Sequence, residues 1–125
     1  MSLPERSEEA EQAFVASWAS EEDPEALAEV ITVALDARRP RLAARLFGLL
    51  DERVEIEPGT ALDRARTASR LLLHDSPDPS AWVEMEDAWA EVRRRRMERI
   101  RRRMRGALRG DQLTVPRVGR KPRRR

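Results

Sequence analysis

From residue 27 to residue 35 the apolar side chains Leu27, Val30, Ile31, Ala34 and Leu35 fall at i, i+3, i+4, i+7 and i+8, the spacing that lines one face of an α-helix. Asp23 precedes this stripe and can accept hydrogen bonds from free helical N–H groups, while Pro24 suits a first turn, so the helix is predicted to begin there. The same period recurs at Leu42, Ala43, Leu46, Phe47, Leu50 and Val54. Between the two stripes Arg38-Arg39-Pro40 breaks the pattern, because proline disfavours helical geometry in the residue before it. Helices joined so closely predict an antiparallel hairpin.

An earlier helix is predicted from a capping box at Ser2-Leu3-Pro4-Glu5, with Ala10, Ala13, Phe14 and Trp18 on its apolar side. Glu57-Pro58-Gly59 predicts a turn. Thr60 with Asp63 then caps a fourth helix that buries Leu62, Ala65, Ala68 or Ser69, and Leu72, and stops at His74. Two prolines between Asp75 and Ser80 forbid continuation.

The fifth helix is the longest. Trp82, Met85, Trp89, Val92, Met97, Ile100, Met104 and Leu108 keep one helical stripe, and Gly110 is its predicted stop. Acidic residues come early in it (Glu84, Glu86, Asp87, Glu91) and arginines late, which complements the helix dipole. Glu91–Arg95 and Glu98–Arg102 are favourably ordered i, i+4 pairs. Beyond Gly110, Pro116, Gly119 and Pro122 stand among charges with almost nothing apolar, so residues 111–125 are expected to be disordered. The predicted fold is all-α: a small four- to five-helix bundle with a long basic C-terminal helix and a disordered tail. No repeat near 34 residues persists, so no solenoid is expected.

At 125 residues the chain has room for one domain. Charged residues at 38% and aromatics at 4% suit amphipathic helices and not a β-sandwich. With no cysteine there is neither a disulfide frame nor a thiolate metal site. Residues 1–30 lack the basic start and apolar run of a signal peptide, and the longest apolar stretch, Val30 to Leu35, is far too short to span a bilayer. A cytoplasmic location and no transmembrane segment are expected.

Charge changes the picture more than composition does. The net value of +2 conceals a split: residues 1–91 carry 21 acidic and 9 basic side chains, whereas residues 92–125 carry 2 acidic and 16 basic. Such asymmetry between halves marks an interaction tail. Three segments are expected, an acidic bundle over 1–92, a projecting basic half-helix over 93–110 and a basic tail over 111–125. With Ile100 at zero and about 100° per residue, Arg93 lies near 20°, Arg96 near −40° and Arg103 near −60°. Burying these charges unpaired is costly, so the helix is expected to leave the bundle after Val92.

The functional expectation is contact with phosphates through Arg93, Arg94, Arg95, Arg96, Arg99, Arg101, Arg102, Arg103, Arg105 and Arg109 on the helix. Arg117, Arg120, Lys121, Arg123, Arg124 and Arg125 extend the set into the tail. Such binding is sequence-independent and steeply salt-dependent. Gly119-Arg120-Lys121-Pro122 resembles a degenerate AT-hook, a minor-groove DNA element, although Val118 stands where its first Arg belongs. No aromatic residue lies between Arg93 and Arg125, which favours duplex DNA over single strands that need stacking surfaces. The alternative is a protein–protein adaptor or self-assembling protein, with Met97, Ile100, Met104 and Leu108 anchoring an acidic partner or a second copy. An anionic membrane surface is a third possibility, weakened because the basic half has no Trp or Phe to seat in an interface.

Candidate chemistry is sparse, and no enzyme, metal, cofactor or small-molecule substrate is expected. His74, the single histidine, sits at a predicted helix end where it can cap carbonyls. Glu84, Asp87 and Glu91 at i, i+3, i+7 read as a solvated acidic face. No Glu-x-x-His pair exists to build a bundle metal centre, and no glycine-rich loop exists to hold phosphate. Trp18, Trp82 and Trp89 are expected in the core.

Overall fold

The computed structural model describes residues 2–74 and 78–114, with side chains described as far as Leu108 in the last helix. Five helices follow one another: α1 (Glu8–Trp18), α2 (Pro24–Asp36), α3 (Pro40–Arg53), α4 (Ala61–Leu72) and α5 (Pro79–Thr114). No strand occurs among the described residues, so the chain is all-α with a long last helix. No helix among them is long and apolar enough to cross a membrane.

Helix α2 begins as its sequence requires, with Asp23 accepting a hydrogen bond from the Glu25 N–H at 3.0 Å and Pro24 in the first turn. All five residues of its stripe are buried. Its end is closed by the Arg39 N–H donating to the Ala34 carbonyl at 2.9 Å and the Arg38 N–H donating to the Leu35 carbonyl at 3.1 Å. That double closure needs a left-handed residue, and Arg38 takes it with φ of 60°. Helix α3 buries Leu42, Ala43, Ala44, Leu46, Phe47 and Leu50, whereas Val54 is its half-buried cap. It packs against α1, α2 and α4.

Helix α1 starts later than the capping box predicts. Ser7, not Ser2, is the N-cap, and its hydroxyl accepts from the Ala10 N–H at 3.1 Å. The reason lies far along the chain. Arg39 donates to the carbonyls of Pro4 at 2.8 Å and Glu5 at 3.0 Å, which keeps residues 2–5 out of a helical turn. No α1 residue is fully buried; Ala13 is exposed, and Phe14 and Trp18 are half-buried, their rings 6.4 Å apart. Charge holds this helix instead. Arg39 meets Glu11 at 2.7 Å, and Arg45 reaches both Glu8 and Glu11.

Helix α4 is capped by Thr60, whose hydroxyl accepts from the Asp63 N–H at 3.2 Å, as predicted. The reciprocal bond goes one residue further back than a capping box would send it, from the Gly59 N–H to the Asp63 carboxylate at 2.9 Å. Gly59 takes φ of 80° there. Ala61 is buried in place of the predicted Leu62, which is half-buried, and both Ala68 and Ser69 face inward. The helix closes at Leu72, leaving His74 exposed beyond its end.

In α5 the buried residues are Ala81, Met85, Ala88 and Trp89. Trp82 and Val92 are half-buried, so the inward face is offset from the predicted stripe toward its two small residues. The helix runs past Gly110 to Thr114. The rest of the expected disordered tail, with Arg117, Arg120, Lys121 and Arg123 to Arg125, lies outside the described residues, as does the AT-hook-like segment.

Candidate polyanion-binding surface on helix α5

The chain divides into two compact units, Met1–Ala90 and Glu91–Arg125, the division falling inside α5. Their arginines are used differently. In the first unit Arg6 donates to the Ala37 carbonyl at 3.1 Å and Arg53 to the Glu21 carbonyl at 3.2 Å. Arg38 pairs with Glu86, Arg64 with Glu84 at 3.3 Å, Arg66 with Asp63, and Arg70 with Asp51 at 3.3 Å. Arg39 and Arg45 hold α1, as described above. These guanidinium groups are structural fasteners.

The second unit has no comparable supply of carboxylates. Arg93, Arg94, Arg95, Arg99, Arg101, Arg102, Arg103 and Arg105 are exposed, and Arg96 is half-buried. Glu91 receives Arg95 at 3.2 Å, the predicted pairing. Glu98 receives Arg94 at 3.5 Å and not the predicted Arg102. Both neighbours lie one turn away on the same face, and a solvent-exposed carboxylate gains little from either choice. Arg93, Arg99, Arg101, Arg102, Arg103 and Arg105 form no ion pair or hydrogen bond with a described side chain or carbonyl.

Residues 93–108 contain nine Arg and one Glu. At 1.5 Å per residue these sixteen residues span about 24 Å, or one net positive charge every ~3 Å. That approaches the linear charge of one DNA strand, about one phosphate per 3.4 Å. The apolar stripe continues among them but stays in contact with water: Met97 is 46% exposed, Met104 61% and Leu108 62%, with Ile100 half-buried. In α5, complete burial ends at Trp89 and the run of charge opens at Arg93.

Elsewhere, chemistry remains thin. Among the described residues no group of three or more His, Asp and Glu could hold a metal ion. Glu84 pairs with Arg64 and Glu91 with Arg95, so two members of the acidic row turn to separate partners, while Asp87 is exposed. An open groove of about 360 Å³ beside α4 and the start of α5 is lined by Thr67 and Ser80 together with Asp63 and Glu84, whose carboxylates pair with Arg66 and Arg64. Trp89 alone of the three tryptophans is fully buried; Trp18 and Trp82 are only half-buried.

Two structural roles escape a pattern-based view. Arg39, which reads as helix punctuation, is buried and organises the N-terminal segment. Thr32, the polar interruption in an apolar run, accepts the indole N–H of Trp89 at 3.0 Å. No family model matches the chain, and neither any curated protein nor any solved structure matches it.

Proposed function

We propose that this protein is a non-enzymatic, cytoplasmic binding protein that grips nucleic acid, duplex DNA first, through the arginines of α5 and the basic residues that follow it. Binding is to phosphate and carries little sequence preference. One observation supports this most: six exposed arginines of α5 lack an ion pair among the described residues, in a chain whose first unit commits eight of its nine arginines to carboxylates and carbonyls and leaves only Arg41 exposed without such a partner among the described residues. Cations left at this density attract a counterion layer or a polyanion, and a polyanion gains by releasing its own counterions. The acidic first unit then repels the same duplex, which restricts contact to α5 and the tail.

The test is fluorescence anisotropy with a random duplex, comparing the full chain with one ending at Val92, at two salt concentrations. Binding by the full chain alone, weakening with salt, supports the proposal; equal binding by both chains discards the α5 arm.

A second reading rests on the exposed Met97, Met104 and Leu108, which offer a narrow apolar seam to an acidic protein partner or a second copy. A second copy on that seam is disclosed by light scattering in the absence of nucleic acid.

A further inference from the structure

We infer that the basic half of α5, residues 93–108, binds duplex DNA lying in the major groove, with its two flanks of arginine on the two phosphate backbones and its apolar stripe toward the base edges. This rests on the nucleic-acid proposal above and specifies the surface that the helix reads.

The distribution of charge around the helix carries the inference. Measured about the axis from the centre of the Met97, Ile100, Met104 and Leu108 stripe, Arg101 and Arg105 lie about 55° and 95° to one side. Arg103 and Arg99 lie about 105° and 145° to the other side. All four are exposed and form no ion pair with a described residue. Arg93 lies about 25° from the stripe centre, on the floor side.

A flat anionic surface meets one side of a helix and leaves the opposite arginines in water. The same holds for an acidic groove on a protein, which covers the apolar stripe and one or two flanking rows. The major groove differs, because it is about 12 Å wide and 8.5 Å deep, and it accepts a helix of about 10–12 Å diameter between two phosphate walls. Charge on both flanks then finds an anion on both sides. The floor is compatible with the stripe, since thymine methyl groups make apolar contacts there, and an arginine aimed at it meets guanine acceptors. The minor groove, about 6 Å wide, cannot admit a helix.

The experiment uses the full chain and three forms of one duplex in which short A·T runs alternate with C·G pairs, so that cytosines recur every few base pairs on both strands: plain, glucosylated on 5-hydroxymethylcytosine in place of every cytosine, and plain with netropsin filling the minor groove of the A·T runs. Glucose fills the major groove and leaves the backbone charge unchanged. The inference predicts binding to the glucosylated duplex at least roughly tenfold weaker than to the plain one, the factor a 1.4 kcal/mol loss produces, with netropsin changing affinity by less than about twofold. Equal affinity for glucosylated and plain duplex overturns the groove assignment and leaves phosphate binding standing. Failure to bind the plain duplex overturns both.

Paired variants test the two flanks. The double substitutions Arg101→Gln with Arg105→Gln, and Arg99→Gln with Arg103→Gln, should each lower the slope of log K against log salt by about 1.8, at about 0.9 per phosphate contact. Glutamine keeps helix propensity, and circular dichroism verifies that α5 persists. A slope change from one pair only means a single backbone is touched, and the inference falls.

Discussion

The indole N–H of Trp89 donates to the hydroxyl of Thr32 at 3.0 Å, and that hydroxyl in turn donates to the Ala28 carbonyl at 3.0 Å. Trp89 is 1% exposed and meets Phe47 edge-on, ring centres 5.8 Å apart. One polar residue in α2 thus satisfies the only polar atom of a large buried side chain in α5. Thr32→Val keeps the volume and removes the acceptor. Leaving the indole N–H unsatisfied costs about 1–3 kcal/mol, read as a lower urea midpoint at unchanged slope, with duplex binding unaltered. A loss below about 0.5 kcal/mol would mean the bond has a substitute.

Arg39 and Glu11 form the second anchoring pair, at 2.7 Å with side chains 6% and 13% exposed. Removing one partner leaves a charge in a poorly hydrated place, so Glu11→Ala should cost about 3 kcal/mol. Because α1 buries no residue fully, the damage should concentrate there. Amide exchange in residues 8–18 should accelerate more than in α2 or α3. Uniform acceleration across all helices would contradict the view that charge docks α1.

Asp63 sets an acid limit. Its carboxylate accepts from the Gly59 N–H and sits against Arg66, and these hold its pKa below the usual 3.8. A depressed folded-state pKa means that its stabilisation is complete above the unfolded value and is lost as pH falls through the folded one. Asp63→Asn should therefore be less stable than the natural chain by a constant amount above about pH 5, with the gap closing below pH 3.8. A gap that persists unchanged at pH 2 would assign the effect to side-chain geometry and not to charge.

Local chemistry was legible in the sequence where neighbours a few residues apart decide the outcome. The α2 stripe, the Asp23 and Thr60 caps and the Glu91–Arg95 pair all follow from spacing. The start of α1 was not, because Arg39, some thirty-five residues away, takes the Pro4 and Glu5 carbonyls. Following the bulkiest side chains misplaces the inward face of α5, since Ala81 and Ala88 permit close packing while Trp82 lies at the edge. The charge surface was legible as a run of arginines, yet whether those arginines had partners was a tertiary question. Glu98 shows the limit, having an arginine one turn away on either side and nothing in the spacing to select Arg94.

Arginines in the first unit provide the comparison for the proposed function. Arg64→Gln with Arg70→Gln removes two cations already paired with Glu84 and Asp51. Their loss should leave the salt slope of duplex binding within about 0.3 of the natural value, where two phosphate contacts would shift it by about 1.8. A shift of that larger size would place the first unit on the nucleic acid.

If the exposed arginines of α5 bind phosphate, titrating the full chain with a random duplex across a range of salt concentrations must show affinity falling steeply with salt. With Arg99, Arg101, Arg103 and Arg105 on phosphate, the log–log slope should be about −3.6 or steeper, and replacing these four by Gln should flatten it by about that amount. A slope near zero, or one that the four substitutions leave unchanged, contradicts phosphate binding by α5.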